Sequence, residues 1–330
     1  VLERFISIER SNAVGGRSAH GPRDCTKQDT SRMTVLGRTA GAPISWGVCE
    51  VPGWGVQLPA DRVLAEMRGV GLSATELGSF GYLPTDPDDL RAMLERHDLS
   101  LVAGFNALAL ADPAASTSAM AQARAAAALL ADAGAVNFVT CAVTDPDDWQ
   151  RPPLEPEHWD HLFIMLDRVD EVCADVGLTQ VFHPHVDSLV ETADEMQRVL
   201  DNSGVAWVLE TGHMHIGGLD PLAFARDHGT RVGLVHLKDL RSSIAARLNA
   251  EELTLMGAVQ AGLFVPLGQG DVPIEAVIRC LESQGYEGWY VIEQDAAITG
   301  SMPDPGDGPI RDVESSVAFL RSLDDRLAVA

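Results

Sequence analysis

The sequence predicts a (β/α)8 TIM barrel that forms one domain over residues 33–330. Short apolar runs rich in Val, Ile, Thr and Trp alternate with longer amphipathic stretches, and eight such units fill about 290 residues, as this fold requires. Several runs are apolar at every position, which is typical of parallel strands covered on both faces. No GxGxxG motif follows the first run, so the pattern disfavours a dinucleotide-binding sheet.

The strands are predicted from apolar runs of four to seven residues bounded by turn residues. In chain order they are Ala42–Val48, Ala74–Leu77, Leu101–Asn106, Val136–Ala142, Thr179–His185, Ala206–Glu210, Val232–Lys238 and Trp289–Gln294. The connection Leu240–Gly270 after the seventh strand is unusually long. In a barrel, such long connections usually cover the active site, and we expect the same here.

The helices are predicted from amphipathic stretches that Pro or Asp often opens and Gly often ends. They are Ala60–Val70, Pro87–His97, Ser116–Ala133, Glu157–Val176, Thr192–Asp201 and Ile274–Gln284. Residues 1–32 lack this periodicity and are rich in Gly, Ser and Arg. We therefore expect them to be a disordered N-terminal extension without chemistry.

Composition limits the classes of partner. The 330 residues carry 48 Asp and Glu against 24 Lys and Arg, a formal net charge of −24, which disfavours a nucleic-acid partner. The sequence has no uninterrupted apolar run of about 20 residues, so no membrane span is expected. The five cysteines form no CxxC pair, and a reducing cytoplasmic compartment is the simplest interpretation.

Polar side chains collect where the predicted strands end. Of the ten histidines, half fall at three consecutive strand ends: His183, His185, His213, His215 and His236. Carboxylates also lie at strand ends, Glu210 beside two of these histidines and Glu76 and Glu293 at ends of their own. Because function in a barrel lies at the carboxyl ends of the strands, we expect these side chains to form one site.

A divalent cation would offset the cost of burying imidazoles and carboxylates together. Glu210, His236 and Glu293 lie on neighbouring predicted strands and are candidate ligands. His183 and His185 share a parity, so one is expected to ligate and the other to bind substrate or hold a loop. This donor set suits Mn²⁺, Co²⁺, Fe²⁺, Zn²⁺ or Mg²⁺ and needs no thiolate.

Other residues have two interpretations each. Glu76 is either a functional group or the structural partner of a barrel Lys or Arg. Trp46 and Trp54 follow the predicted first strand, and they either form an apolar wall against a sugar ring or simply pack in the core.

Seven motifs run in order over roughly residues 40–320: GAPISWGVCEVPGWG (41–55), ATELG (74–78), FHPHVDSLVET (182–192), ETGHMHIGGLDP (210–221), VHLKD (235–239), FVPLGQGDV (264–272) and GWYVIEQD (288–295). Together they resemble the inosose dehydratase (2-keto-myo-inositol dehydratase) group of the xylose-isomerase-like barrel superfamily. The resemblance implies a xylose-isomerase-like TIM barrel, a divalent metal that is foremost Mn²⁺ or Co²⁺, and a homo-oligomer.

The resemblance also implies metal ligands from strands five to eight, which are His183, Glu210, His236 and Glu293 in this chain. Two departures from the superfamily pattern stand out. His183 occupies a position where many members have Glu, and His185 is an alternative ligand. Glu210 stands where Asp is usual, so its longer side chain either ligates in a shifted geometry or weakens metal binding.

The implied reaction is dehydration of a small neutral polyol ketone, 2-keto-myo-inositol, in inositol catabolism. The metal would act as a Lewis acid on the ketone while a base removes the neighbouring proton, giving a metal-stabilised enediolate that loses hydroxide. Lys238 shares the parity of His236 and is a candidate to stabilise the enediolate, while His213 and His185 are candidates for acid or base.

Three alternatives remain at this point. The first is a metal-dependent ketose isomerase or epimerase, which would use the same metal but return the proton. The second is a barrel that binds ligand without catalysis, with Glu210 as the lesion. The third is an apurinic endonuclease, against which the net charge argues.

Overall fold

The computed structural model describes residues 33–329, and eight parallel strands within them close into a barrel. Each barrel strand pairs with the next barrel strand along the chain, and the first closes the ring against the last. The barrel strands are β1 (Thr39–Gly41), β2 (Ala74–Glu76), β3 (Ser100–Leu108), β4 (Asn137–Ala142), β5 (Thr179–Phe182), β6 (Ala206–Glu210), β7 (Val232–Leu237) and β10 (Trp289–Ile292). The predicted fold class is confirmed. Residues 1–32, the predicted extension, lie outside the described residues.

The first predicted strand, Ala42–Val48, is wrong. The true strand β1 lies just before it, and a 3₁₀ turn spans Pro43–Trp46. Pro43 has no N–H for a neighbouring strand and its ring fixes φ, so the ladder stops there. Gly47 ends the turn at a φ of 81°, in the left-handed region that favours glycine. The strand itself is only three small residues long, which left little periodicity to detect.

Four other strands end before the predicted position, β2 by one residue at Glu76, and in the remaining three this places polar residues just beyond the ladders. The fifth strand ends at Phe182 because Pro184 interrupts it, so His183 and His185 lie in the loop that follows and not on the strand. Their shared parity therefore does not apply, although their rings lie 5.6 Å apart. Likewise, Lys238 follows the end of β7, and Glu293 follows the end of β10.

All six predicted helices are present, each within one residue at both ends. The helices of the described residues are α1 (Ala60–Gly69), α2 (Pro87–Arg96), α3 (Ser116–Asp132), α4 (Pro156–Asp175), α5 (Ala193–Asn202), α6 (Thr211–Ile216), α7 (Pro221–His228), α8 (Ser242–Asn249), α9 (Leu255–Gln260), α10 (Ile274–Ser283) and α11 (Ile310–Leu327). Capping explains sharp starts such as that of α5, where Thr192 and Glu195 form a capping box. Across residues 33–329, no helix is both long and apolar enough to cross a bilayer.

Two apolar layers hold the barrel together. Small and branched side chains such as Ala40, Val139 and Val208 fill its interior, as a packed barrel core requires. Larger side chains, among them Trp207 and Phe182, pack between the strands and the surrounding helices. The interior core leaves the carboxyl ends of the strands free for polar residues.

The long connection after β7 reaches the carboxyl end of the barrel, where Phe264 packs beside Lys238 and His213. It contains α8, α9 and a short antiparallel pair, β8 (Asp239–Leu240) with β9 (Phe264–Val265). The Asp239 carboxylate anchors it by accepting four backbone N–H bonds of 2.9–3.1 Å, from Leu240, Gly268, Gly270 and Val272. A Cβ at Gly270 would lie 2.2 Å from Asp239 Oδ1, so this close approach requires glycine. The anchored connection brings the Phe264 ring within 5.0 Å of Lys238 Nζ.

Trp46 and Trp54 are packing residues and do not form a sugar-binding wall. Both are buried, and each indole N–H is already bonded. Trp46 Nε1 donates to Glu66 Oε2 at 3.0 Å, and Trp54 Nε1 donates to the Ala296 carbonyl at 2.7 Å. The Trp46 bond joins the 3₁₀ turn to helix α1, and the Trp54 bond ties the first barrel unit to the segment after β10.

Candidate metal centre and active site

Four buried side chains meet at the carboxyl end of the barrel. His183, Glu210, His236 and Glu293 each offer one ligand atom, and these atoms all lie within 4.8 Å of one another. They come from the ends of β5, β6, β7 and β10, in the order predicted. The strand register brings them together, because Glu210 pairs with His236 across β6 and β7. This group can hold a divalent metal ion.

The hydrogen bonding of this group fits a cation. Glu210 Oε2, His236 Nδ1, Glu293 Oε2 and His183 Nδ1 are buried atoms without a hydrogen-bond partner among residues 33–329. Glu210 Oε2 lies 3.4 Å from His236 Nδ1 and 3.8 Å from His183 Nε2, and Glu293 Oε2 is in close contact with the same His236 nitrogen. Buried acceptors converging in this way are costly unless a positive charge lies between them. The donors therefore fit a cation that accepts nitrogen and oxygen ligands.

The two carboxylate oxygens of Glu210 have different partners. Oε1 accepts the backbone N–H groups of Gly212 and His213 at 2.8 and 3.2 Å, which caps helix α6. This bond leaves Oε2 to face the four-residue group. The longer side chain of Glu, relative to Asp, thus reaches both the helix and the centre.

His236 is held by carboxylates on both sides of its ring. Its Nε2 donates to Glu76 Oε1 at 3.1 Å, while Nδ1 faces Glu210 and Glu293. Although burial opposes the charged form, Glu293 and Glu76 hold the pKa of His236 well above its ordinary value. Glu76 therefore pairs with a histidine, and not with the barrel Lys or Arg that the sequence had suggested.

Lys238 is a buried cation beside this group. Its Nζ donates to Glu293 Oε1 at 2.9 Å, contacts Asp295 Oδ1 at 2.9 Å, and lies 3.0 Å from His213 Nε2. Burial opposes its charge, but Asp295 and Glu293 raise the pKa of Lys238 above its usual value. Burial, together with the charge of Glu293, raises the pKa of Asp295 to about 6. The sequence analysis did not name Asp295 as a candidate site residue. Its spacing of two residues from Glu293, at the same strand end, could have indicated that both lie at the site.

His185 and His213 form a second pair of imidazoles, with ring centroids 3.9 Å apart. His185 Nδ1 lies 2.6 Å from the Val186 carbonyl, so this nitrogen carries the proton and donates it. Burial lowers the pKa of His185 to about 4 and lowers that of His213 well below its ordinary value, and Lys238 adds to both shifts. Both rings are therefore neutral near pH 7. His215 is not part of this arrangement, because it pairs with Ser242 Oγ at 3.1 Å.

An aromatic wall missed by sequence reasoning flanks the histidines. Phe105 and Trp149 stack with ring centroids 6.3 Å apart. The Trp149 ring lies 5.1 Å from that of His185, and the Phe105 ring lies 5.4 Å from that of His183. Trp149 stands in the connection between β4 and α4, where no periodic pattern marks it. The wall gives the mouth an apolar side next to its polar centre.

Comparison with known families identifies the class of protein. The sequence profile described as the xylose isomerase-like TIM barrel matches residues 64–323, so the chain belongs to the xylose isomerase-like TIM barrel family. L-ribulose 3-epimerase shares the fold with a TM-score of 0.65 at 16% identity, covering 88% of this chain and 97% of that one. The IolI protein, solved with a bound zinc atom, superposes with a TM-score of 0.62 at 16% identity, covering 88% of this chain and 98% of that one.

Curated relatives narrow the assignment. The inosose dehydratase of Geobacillus kaustophilus (strain HTA426) is 31% identical over 271 residues, which cover 78% of this chain and 87% of the relative. The rhizopine catabolism protein MocC of Rhizobium meliloti is 31% identical over 265 residues, covering 77% of this chain and 80% of the relative. Within its family, the chain belongs to the inosose dehydratase group.

Proposed function

We propose that this protein is a metal-dependent hydro-lyase that dehydrates 2-keto-myo-inositol in inositol catabolism. The supporting observation is the convergence at the barrel mouth of four buried side chains, each with one polar atom that has no hydrogen-bond partner among the described residues, in a chain of the inosose dehydratase group. His183, Glu210, His236 and Glu293 would hold the ion, foremost Mn²⁺ or Co²⁺, with Zn²⁺, Fe²⁺ or Mg²⁺ as alternatives. A divalent ion there supplies Lewis acidity toward a ketone oxygen and its neighbouring hydroxyl.

The base that we propose is His185. Because its Nδ1–H donates to the Val186 carbonyl, its Nε2 carries the free lone pair of a neutral imidazole. The ring is half-buried, so a substrate can reach it. His185 Nε2 would take the proton next to the ketone, and the low pKa that burial imposes keeps the imidazole unprotonated beforehand.

Lys238 and His213 would protonate the leaving hydroxyl. Lys238 Nζ lies 3.0 Å from His213 Nε2. Whichever of the two groups gives its proton to the leaving hydroxyl can therefore regain a proton from the other. The ammonium also offers a hydrogen bond to the negative charge that develops on the substrate oxygen. The elimination then balances: the carbon-bound proton goes to His185, and the hydroxyl leaves as water with a proton from Lys238 or His213.

The test is turnover of 2-keto-myo-inositol by purified protein with Mn²⁺ or Co²⁺. Dehydration gives a dione that absorbs in the ultraviolet, so we expect a metal-dependent rise in absorbance. A panel of ketoses, scored for epimers as well as for dehydration, separates the hydro-lyase from a ketose epimerase on the same barrel. Epimer formation without dehydration, or no turnover with any of the divalent metals, would contradict the proposal.

We further propose that the protein acts in the cytoplasm as a homo-oligomer on a small neutral polyol or keto-sugar, without nucleic acid. Size-exclusion chromatography with light scattering tests the oligomer. A mass equal to one 330-residue chain would exclude it.

Replacing Glu210 with Asp tests whether Glu210 has abolished metal binding and catalysis in this chain. The structure has Glu210 Oε2 within 3.4 Å of His236 Nδ1 while Oε1 caps helix α6, so a shorter side chain cannot do both equally well. We expect Glu210→Asp to weaken Mn²⁺ binding by about 10-fold, measured by isothermal titration calorimetry. A catalytically dead barrel predicts the opposite result, a gain of metal and of turnover in the Asp variant.

A further inference from the structure

Glu76 lies across the barrel from the strand whose histidine it contacts. It ends β2, is buried, and its Oε1 accepts from His236 Nε2 at 3.1 Å. Two strands, β1 and β10, stand between β2 and β7 in the barrel, and the Glu76 carboxylate reaches past them to the His236 ring.

The position of this carboxylate decides which nitrogen of His236 faces the donor group. An imidazole that ligates a metal ion has given up one ring proton and carries its remaining N–H on either Nδ1 or Nε2. With the proton on Nε2, the ring donates to Glu76 and turns the Nδ1 lone pair toward Glu210 and Glu293. With the proton on Nδ1, the Nε2 lone pair would oppose a buried carboxylate oxygen, and an N–H would point at the site of the ion.

We propose that Glu76 is a positioning residue, which selects the His236 tautomer able to ligate metal through Nδ1. This inference rests on the proposed function in that it takes His236 to be a ligand. Glu76 acts through the ring and does not belong to the four-residue group itself. A carboxylate that orients a ligating histidine in this way usually contributes 10- to 100-fold to metal affinity.

The direct test is the protonation of His236 in protein loaded with Zn²⁺, which is diamagnetic. In ¹⁵N-histidine-labelled protein we expect the His236 signals to show a protonated Nε2 and a metal-bound Nδ1, with assignment by loss of the signals in His236→Gln. The Nε2–H proton should exchange faster with solvent in Glu76→Ala. A wild-type spectrum with the proton on Nδ1 would overturn the proposal.

Metal affinity gives the second readout. We expect Glu76→Ala to raise the Kd for Mn²⁺ by about 10- to 100-fold, and Glu76→Gln to raise it less, because its amide oxygen still accepts from Nε2. Glu171→Gln, which changes an exposed carboxylate on α4, is the matched control and should leave the Kd unchanged. If Glu76→Ala lowers kcat at an unchanged Kd, Glu76 is catalytic and the proposal is wrong.

These readouts separate the two proposals. Wild-type protein that binds Mn²⁺ but does not dehydrate 2-keto-myo-inositol would contradict the proposed function and still report on Glu76. Wild-type protein that binds no divalent metal would contradict both. Should Glu76→Ala fail to fold, Glu76→Gln and the wild-type spectrum decide the question, since neither leaves a cavity beside His236.

Discussion

Replacing Glu293 with Gln is expected to remove the bound metal and to lower kcat/KM by about a thousandfold or more. The two carboxylate oxygens have different partners: Oε1 accepts from Lys238, and Oε2 faces the donor group beside His236. In glutamine, the NH₂ group must point at one of these places, toward an ammonium or toward the ion. Either orientation sets a hydrogen-bond donor against a positive charge. The glutamine side chain therefore cannot replace glutamate here, although the two have nearly the same shape.

Metal titration and turnover together test this expectation. Calorimetry should show much weaker Mn²⁺ binding by Glu293→Gln, and the Glu171→Gln control should behave as wild type. Wild-type protein stripped by a chelator should match the variant in turnover and regain activity when Mn²⁺ is added back, which the variant should not. Unchanged metal affinity in Glu293→Gln would remove this residue from the proposed ligands.

The elements most predictable from the sequence were those with strong periodicity. The amphipathic helices were placed within one residue because apolar spacing and terminal Pro, Asp and Gly residues mark both ends. Three of the four donors, Glu210, His236 and Glu293, were predictable because the fold class dictates where polar strand ends meet, whereas His183 came from the family resemblance with His185 left as an alternative. Knowing the fold thus sufficed to bring together residues far apart in the chain.

Other features depended on interactions that carry no local pattern. Strand β1 was misplaced because three small residues are held by pairing with β2 and β10, while the more apolar run beside them is broken by Pro43. The short helix α6 depends on a cap from Glu210. The Glu76 contact with His236 spans 160 residues, and Trp149 reaches His185 from an irregular connection. Such contacts follow from tertiary packing alone.

Replacing Lys238 with Met is expected to lower kcat by about 10²- to 10⁴-fold while metal binding persists. The side chain is wholly buried and holds its ammonium against Glu293 and Asp295. Methionine keeps much of the volume but removes the charge and its hydrogen bonds. Because a positive charge is lost beside the donor group, the affinity for Mn²⁺ should be equal to or tighter than that of wild type.

The same substitution should also destabilise the fold, by about 3–5 kcal/mol in urea unfolding, because Asp295 and Glu293 lose their buried partner. The charge of Lys238 can be observed directly, since the chain has only two lysines, Lys27 and Lys238. In ¹⁵N-lysine-labelled protein, we expect Lys238 to appear as a slowly exchanging ammonium. A neutral amine at pH 7 would contradict the roles proposed for it.

A double substitution distinguishes catalysis from stability. Asp295→Asn in the background of Lys238→Met removes one of the two uncompensated carboxylates, so part of the lost unfolding free energy should return. Turnover should not return with it, because the missing ammonium is the group that serves the substrate oxygen and the leaving hydroxyl. Recovery of kcat in step with stability would instead mean that Lys238 acts only by holding the centre together, and the proton donor would have to be sought in His213.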